Sequence, residues 1–452
     1  MTEIFQYDKI VKYKVTAECT QPMHIGNGEN DRAQVLVHPV DGIPFIQASS
    51  ISGVFRDCYT KLYGKNEAEQ IFGKSSGKEE DSMQSRIRIS DGTFYTGNEN
   101  LTIELRPRVR INRKTGTVDN SVVQGSGKDS GQKFNMEYIG AGAQFTFSIY
   151  LYGKDDTQNR LEDVFSAINQ QKIQFGGQQS NGCGYLKLKG LLYKEFHMKN
   201  KNDRKLWMME EILQDEIYTD RLEEISQTSS VKDAYEIIVT GRTQGELLVK
   251  SISVSDYGKD APYSVNIRNA KKEYIIPGSS FKGCIRNQMQ QIADYLDLGE
   301  IINDTFGIPA DGVKNGNTGN IRFFDTVVGT IEGNDSNRLS HRIHIDKFTG
   351  GVMHGGLFTE KNIFGNLTLH IRILNKNNPD RTLGLLLLAL RDLASGLYGI
   401  GSGSNVGHGF LTLDLLTIKN GDGAQAQICF TDNKIKDDNS MIKSCLRAVR
   451  GN

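Results

Sequence analysis

The sequence predicts an α+β chain of two tandem domains of ferredoxin-like type, each enlarged by insertions. Three observations lead there. Seven short strings recur in the same order in the two halves of the chain, which marks an internal duplication. Each half alternates strand-like and helix-like stretches without the repeated crossovers of a parallel sheet. A length of 452 residues also exceeds one ordinary domain.

The repeat opens on a strand, IVKYKVTAECTQP in the first half and EIIVTGRTQG in the second, with Thr20-Gln21 against Thr243-Gln244. Next come FIQASSISGVFR (45–56) and IIPGSSFKGCIR (275–286), in which Ser49, Ser50, Gly53 and Arg56 match Ser279, Ser280, Gly283 and Arg286. A short apolar run, a turn and two serines before an apolar-periodic segment read as a strand and then a helix with a serine N-cap. Phe72-Gly73 then matches Phe306-Gly307, and Arg88 and Asp91 match Arg322 and Asp325. RVRINRKTG (108–116) lies against RIHIDKFTG (342–350), and Glu137–Gly142 against Glu360–Gly365. A helix follows (LEDVFSAINQQ; RTLGLLLLALRDLASGL). A glycine-rich loop and last strand close each unit, FGGQQSNGCGYL (175–186) and IGSGSNVGHGFL (400–411). The domains are expected at 1–196 and 233–420. A charged, partly helical connector spans 197–232, helical around Leu206–Leu222, and a polar tail spans 421–452 with a short helix over Ser440–Val449.

Composition narrows the function. The 54 basic and 54 acidic residues cancel, so a nucleic-acid role must use local patches. No run of about 20 apolar residues predicts a membrane span. Six scattered cysteines without a CxxC pair point to a reducing cytoplasm and away from a cysteine zinc site.

The start of the serine-capped helix in the second copy offers unpaired N–H groups and a positive dipole end, with Lys282 in its first turn and Arg286 one turn on. In outline this is a phosphate site. Arg106, Arg108 and Arg110 alternate on a strand and share a face, followed by Arg113 and Lys114; the second copy keeps Arg342, His344 and Lys347. Such a run is either a solvated face with scattered ion pairs or a groove that tracks a nucleic-acid backbone. The glycine-rich loops (Gly182, Gly184; Gly407, Gly409) run helix–loop–strand, the reverse of the strand–loop–helix order that a dinucleotide fold needs. They are either tight turns needing positive φ or places where another chain comes close. The loops after the first strands hold Glu29 and Asp31, and Asp256 and Asp260. A loop carboxylate is most often solvated or in an Asx turn, though a divalent metal on a phosphodiester also takes oxygen ligands. His24 stands alone and reads as a structural residue.

Taken together, HIG after the first strand, PGSS-x-KG-x-x-R at a helix start, the I-D-K-x-TG segment and the terminal glycine-rich strand resemble the RAMP superfamily. More narrowly they resemble the backbone (Cas-seven-type) subunits of type III CRISPR effector complexes, here as a tandem fusion like those of type III-D systems. The resemblance implies modified RRM-like domains with thumb hairpins, stacked along a guide RNA. Guide phosphates would lie at Ser49, Ser50 and Arg56, and at Ser279, Ser280, Lys282 and Arg286, with His24, Arg108, Arg110, Arg113, Gly182, Gly184, Arg342, Lys347, Gly407 and Gly409 completing the RNA contacts. The hairpins after RINRKTG and HIDKFTG would wedge into the guide–target duplex. An aspartate, Asp31 or Asp260, would cut complementary target RNA with Mg²⁺ or Mn²⁺. The implied partners are guide RNA, target RNA and other type III subunits. The first copy has Gln47-Ala48 in place of Pro-Gly, so the two units need not share a catalytic role. A purely structural guide-binding subunit and a guide-processing endoribonuclease stay open as alternatives.

Overall fold

The computed structural model describes residues 7–26, 33–75, 82–97, 101–112, 133–153, 158–213, 215–225, 231–251, 264–308, 316–329, 337–437 and 439–450. The chain forms two compact units. The first holds Met1–Ile103, Glu137–Gln179 and Cys183–Lys232; the second holds Glu104–Met136, Ser180–Gly182 and Asp233–Asn452.

In chain order the first repeat has β1 (Lys9–Cys19), β2 (Phe45–Ile46), α1 (Ala48–Tyr63), α2 (Lys65–Phe72), β3 (Ile87–Ile89), β4 (Gly92–Phe94), β5 (Ile103–Val109), β6 (Lys133–Ile139), β7 (Gln144–Gly153), α3 (Gln158–Asn169) and β8 (Leu186–His197). Next come α4 (Lys201–Met208), α5 (Glu210–Leu213) and β9 (Thr219–Asp220). The helix expected around 206–222 therefore starts earlier and ends at Leu213. The second repeat has β10 (Asp233–Thr243), β11 (Ser264–Val265), β12 (Ile275–Ile276), α6 (Gly278–Tyr295), α7 (Glu300–Phe306), β13 (Gly307–Ile308), β14 (Asn317–Thr318), β15 (Ile321–Phe323), β16 (Thr326–Gly329), β17 (Asn337–Ile345), β18 (Val352–Ile363), β19 (Asn366–Leu374), α8 (Pro379–Ala394) and β20 (Leu411–Asn420). It closes with β21 (Gln425–Cys429), β22 (Lys434–Lys436) and α9 (Met441–Arg450).

The main sheets run β2-β4-β7-β1-β8-β9 and β12-β16-β19-β10-β20-β21-β22. In each, the first strand of the repeat lies antiparallel between the two strands that flank α3 or α8. That is the ferredoxin-like order, and it occurs in both units. The registers refine the repeat by one residue. Thr20 and Gln244, not Thr243, are the equivalent donors, bonding to Tyr185 O and Phe410 O. A bulge interrupts each first strand, between Thr16 and Ala17 and between Thr240 and Gly241.

Burial follows helical spacing. α1 buries Ile51, Phe55, Cys58 and Tyr59, and α6 buries Phe281, Ile285, Met289 and Ala293, each one apolar stripe against a sheet. α8 is apolar on nearly all sides because α9 covers its outer face. A Cβ at Gly384 would come 2.3 Å from Cys445 O, which accounts for the glycine within the leucine run. The repeated Phe-Gly pair also has a local cause. Gly73 and Gly307 end α2 and α7 at φ of 80° and 82°, and a side chain there would strike the backbone of Met83 or Asn317.

In the first unit the connector closes on β1. Lys12 and Lys14 of β1 pair with Glu210 of α5 at 2.8 and 2.9 Å, and Tyr218 donates to the same carboxylate. All six cysteines are free thiols. No helix among the described residues is long and apolar enough to cross a membrane.

Candidate nucleic-acid interface

The serine-cap expectation is corrected. The N-caps are Gln47 and Pro277, neither making a side-chain cap bond, and Ser49, Ser50, Ser279 and Ser280 lie inside the first turn. The first helical N–H is met by an aspartate that the repeat marks but sequence reading left without a role. Asp91 Oδ1 accepts from Ala48 N at 2.7 Å, and Asp325 Oδ1 from Gly278 N at 2.8 Å. A carboxylate thus already occupies the dipole end of each helix. Any phosphate must be held farther along, by side chains.

In the second unit those side chains converge. Lys282 Nζ donates to Ser180 Oγ at 2.7 Å. Its ammonium is pushed down to about 8, first by burial and then by the positive charges of Arg286, Arg108 and Arg322. Arg286 also lies over the Phe306 ring, its guanidinium carbon 5.2 Å from the centroid. Arg322 is buried and donates to Gly319 O and Ile321 O. Three arginines therefore bring their positive charge to bear on the half-buried Lys282 at the second turn of α6. In the first unit Ser52 stands at the position of Lys282, while Arg56 and Arg88 are exposed. That copy carries less charge.

Arg106, Arg108 and Arg110 do not share one environment. Arg106 is buried, pairing with Asp325 Oδ2 and Glu104 Oε2, both at 2.6 Å. Glu104 Oε1 in turn accepts from Ala270 N at 2.6 Å. Arg108 is half-buried beside Lys282, and Arg110 is exposed. On the opposite face Leu105, Val109 and Ile111 are exposed, as are Leu339, Ile343 and Ile345 at the matching positions of β17. Arg342 contacts Glu360 at 3.0 Å and the His408 ring. His408 is pushed down, by burial first and by Arg342 second. The Glu246–Arg342–Glu360–His408 cluster was not found from sequence, since its members are spread over about 160 positions.

HIDKFTG is the turn of the β17–β18 hairpin itself, where the sequence reading set the hairpin after it. Asp346 Oδ1 accepts from Phe348 N, Thr349 N and Thr349 Oγ1. The bonds from Thr349 and then Phe348 hold its carboxyl below the usual range. This turn leaves Lys347 exposed and Phe348 99% exposed at the tip. His24 faces inward: it is buried, with Nδ1 2.8 Å from Glu137 O. The glycine loops answer both readings. Gly184 and Gly409 make tight internal turns, where a Cβ would lie 2.0 and 2.1 Å from Phe175 O and Ile400 O. Gly182 permits close approach to the backbone of Phe323–Phe324, whereas nothing lies within 4 Å of a Cβ at Gly407.

Asp31, Asp260 and Arg113 lie outside the described residues. Among the described residues no group of three or more His, Cys, Asp or Glu side chains is arranged to hold a metal, so these residues alone do not form a seat for Mg²⁺ or Mn²⁺.

The sequence profile of the RAMP superfamily matches residues 16–187 and 259–412. The CRISPR system Cmr endoribonuclease Cmr4 of Pyrococcus furiosus is 28% identical over 123 residues, 26% of this chain and 37% of the relative. The chain thus spans little more than a third of that relative's length. A cryo-EM structure of the Type III-B Cmr-beta bound to cognate target RNA aligns at 20% identity and a TM-score of 0.32, over 41% of this chain and 61% of that one.

Proposed function

The chain belongs to the RAMP superfamily, and from that premise we propose that it is a backbone subunit of a type III CRISPR effector complex that holds guide RNA by its phosphates. The observation that carries the reading is the cluster of Lys282, Arg286, Arg108 and Arg322, in which burial first and the neighbouring positive charges second depress the lysine. Gathering cations this way destabilises the unliganded protein and favours a polyanion. The net charge of zero suits a protein that grips a backbone locally and leaves sequence reading to base pairing. The likeness to a Cmr endoribonuclease supports the same class of complex.

Phe348, at the tip of the β17–β18 hairpin, adds an aromatic face suited to stacking on an exposed base. Cutting of paired target RNA is part of the proposal, with Asp31 and Asp260 as candidate carboxylates. A backbone subunit that shapes the guide without cutting is the alternative. The test of binding is fluorescence anisotropy of a labelled single-stranded RNA against the full chain over a salt series. Lys282→Ala with Arg286→Ala is expected to weaken binding and flatten the salt slope by about 1.4, at about 0.7 per lost phosphate contact. Unchanged affinity and slope would remove the cluster from the RNA path. Cutting is tested separately, by mapping target products in the assembled complex for Asp31→Ala and Asp260→Ala. Each is expected to erase its own series of cuts, and retention of all cuts in both leaves the non-cutting alternative.

A further inference from the structure

We propose that Lys282 is an acylation site: in the RNA-free protein its amine takes the acyl group of a small acyl phosphate, and the amide so formed weakens later RNA binding. The regulatory half rests on the guide-holding reading; the reactivity of the amine does not.

The geometry sets up a nucleophile. Lys282 is half-buried, and its Nζ is held 2.7 Å from Ser180 Oγ. Ser180 is itself fixed, in the short 3-10 turn Gln179–Asn181. That turn and α6 meet too closely for side chains: a Cβ at Gly278 would come 2.7 Å from Asn181 O, and one at Gly182 would come 2.5 Å from Phe323 O. Among the described residues no carboxylate pairs with Lys282; its charged neighbours are Arg286, Arg108 and Arg322. An amine out of water and among like charges favours its neutral form. With the ammonium at about 8, about a quarter of the chains carry the free base at pH 7.5, against about 0.1% for an ordinary lysine. The weaker base is also the weaker nucleophile. A Brønsted slope of about 0.4–0.5, the value for thiols, offsets about an order of magnitude and leaves Lys282 about tenfold faster than an exposed lysine.

The same arginines select the donor. They draw an anion, so an acyl donor whose leaving group is phosphate is concentrated beside the amine where a neutral donor is not. Half-burial restricts the donor to a small one. In the step the Lys282 nitrogen bonds to the carbonyl carbon, the bond from that carbon to the phosphate oxygen breaks, and one amine proton ends on the departing phosphate. Acyl phosphate dianion and neutral amine thus give N-acyl-lysine and HPO₄²⁻. The amide is neutral, so the cluster falls from four cations to three. An RNA phosphate beside Lys282 keeps the ammonium charged and blocks the attack. Acylation therefore falls on RNA-free chains and keeps them so. The first unit, with Ser52 at this position, has no counterpart.

The full chain, without RNA, is treated at pH 7.5 with acetyl phosphate or, separately, with acetic anhydride, a neutral donor of the same acyl group. Peptide mass spectrometry follows Lys282 against the exposed Lys347 and Lys419. With acetyl phosphate Lys282 is expected to react about tenfold faster than either. Arg286→Ala and Arg108→Ala, confirmed folded by far-UV circular dichroism, are each expected to lower the ratio of acetyl phosphate to anhydride reactivity at Lys282 about threefold; the free-base fraction cancels from that ratio. A Lys282 no faster than the reference lysines, or a donor ratio equal to theirs and unmoved by both variants, would overturn the acylation site. RNA anisotropy reads the consequence. After equal treatment with acetyl phosphate the wild type is expected to bind RNA more weakly than Lys282→Arg, and RNA bound beforehand is expected to protect Lys282. If Lys282 reacts as expected but RNA neither protects it nor binds more weakly afterwards, the acylation site stands, and the guide-holding reading falls together with the regulation built on it.

Discussion

Lys282→Met separates the cost of the cationic pocket from its use. The ammonium titrates at about 8 in the folded chain against an ordinary 10.5. Between those values the unfolded chain holds the proton and the folded chain has released it, so the fold gains stability as pH rises through the window. Below pH 8 the full penalty applies, and the fall from 10.5 to about 8 corresponds to about 3 kcal/mol. Methionine keeps the apolar stem and removes the charge. It also loses the bond to Ser180 Oγ, worth about 1 kcal/mol. The variant is therefore expected to be about 2 kcal/mol more stable than the wild type at pH 7 without RNA, with the difference shrinking toward pH 10. RNA affinity should move the opposite way, weaker in Lys282→Met, while the wild type loses affinity as pH passes 8. Urea unfolding at several pH values measures the first, and anisotropy at the same pH values the second. If Lys282→Met is less stable than the wild type at pH 7, or the difference does not change with pH, the cations are compensated within the protein and the argument for a bound polyanion fails.

Other perturbations test other parts. Glu210 is opposed by burial, but hydrogen bonds from Lys12, Lys14 and Tyr218 outweigh it and hold the carboxyl at about 2. Its contribution, about 2–3 kcal/mol, is present above pH 4.5 and lost as pH falls toward 2, so Glu210→Gln should flatten the acid limb of a stability–pH curve measured by thermal unfolding. Arg106→Ala leaves Asp325 and Glu104 uncompensated and should cost about 3–5 kcal/mol in urea unfolding; Arg106→Lys should recover only part, because one ammonium does not reproduce the guanidinium fork. Phe348→Ala should weaken RNA binding by about 1–3 kcal/mol without altering unfolding, since the ring is almost wholly exposed.

The duplication was legible because its matched strings carry local necessities. Phe-Gly marks a helix end that needs positive φ, and the aspartate of RIRISDGT and NIRFFDTV must reach the first N–H of a helix 43 or 47 positions earlier. Such requirements survive in sequence as fixed residue types, and they placed the two repeats and the coarse strand–helix order within each. The serine cap was misread because Pro277 and Gln47 have extended-type backbone before the helix, at ψ of 141° and 138°. The serines after them look like caps only when the helix start is set too late. The arginine strand was legible only in part. Alternation gives Arg106, Arg108 and Arg110 one face, but not what that face meets. Asp325 lies more than 200 positions away, and only folding brings it to Arg106.

That pairing changes what kind of anion site the repeat contains. A helix N-terminus with two serines suggests that backbone N–H groups hold a phosphate, yet in both units an aspartate holds the first of them. A carboxylate and a phosphate at the same helix end repel, so the N-terminus itself is spent on protein structure, and in the second unit on Arg106. The phosphate-competent charge is displaced one turn along, to Lys282 and Arg286 with Arg108 and Arg322. There it depends on side chains that can differ between copies, and it does differ: the first unit has Ser52 where the second has Lys282. The duplicated element thus separates two tasks. Its shared part is the aspartate on the helix start, and its variable part, one turn later, sets how strongly each unit attracts a polyanion. Replacing Ser52 by lysine should then raise RNA affinity and steepen the salt slope by about 0.7 while leaving the Asp91–Ala48 bond at the helix start intact. An unchanged slope would mean that the first unit's helix face does not line the RNA path.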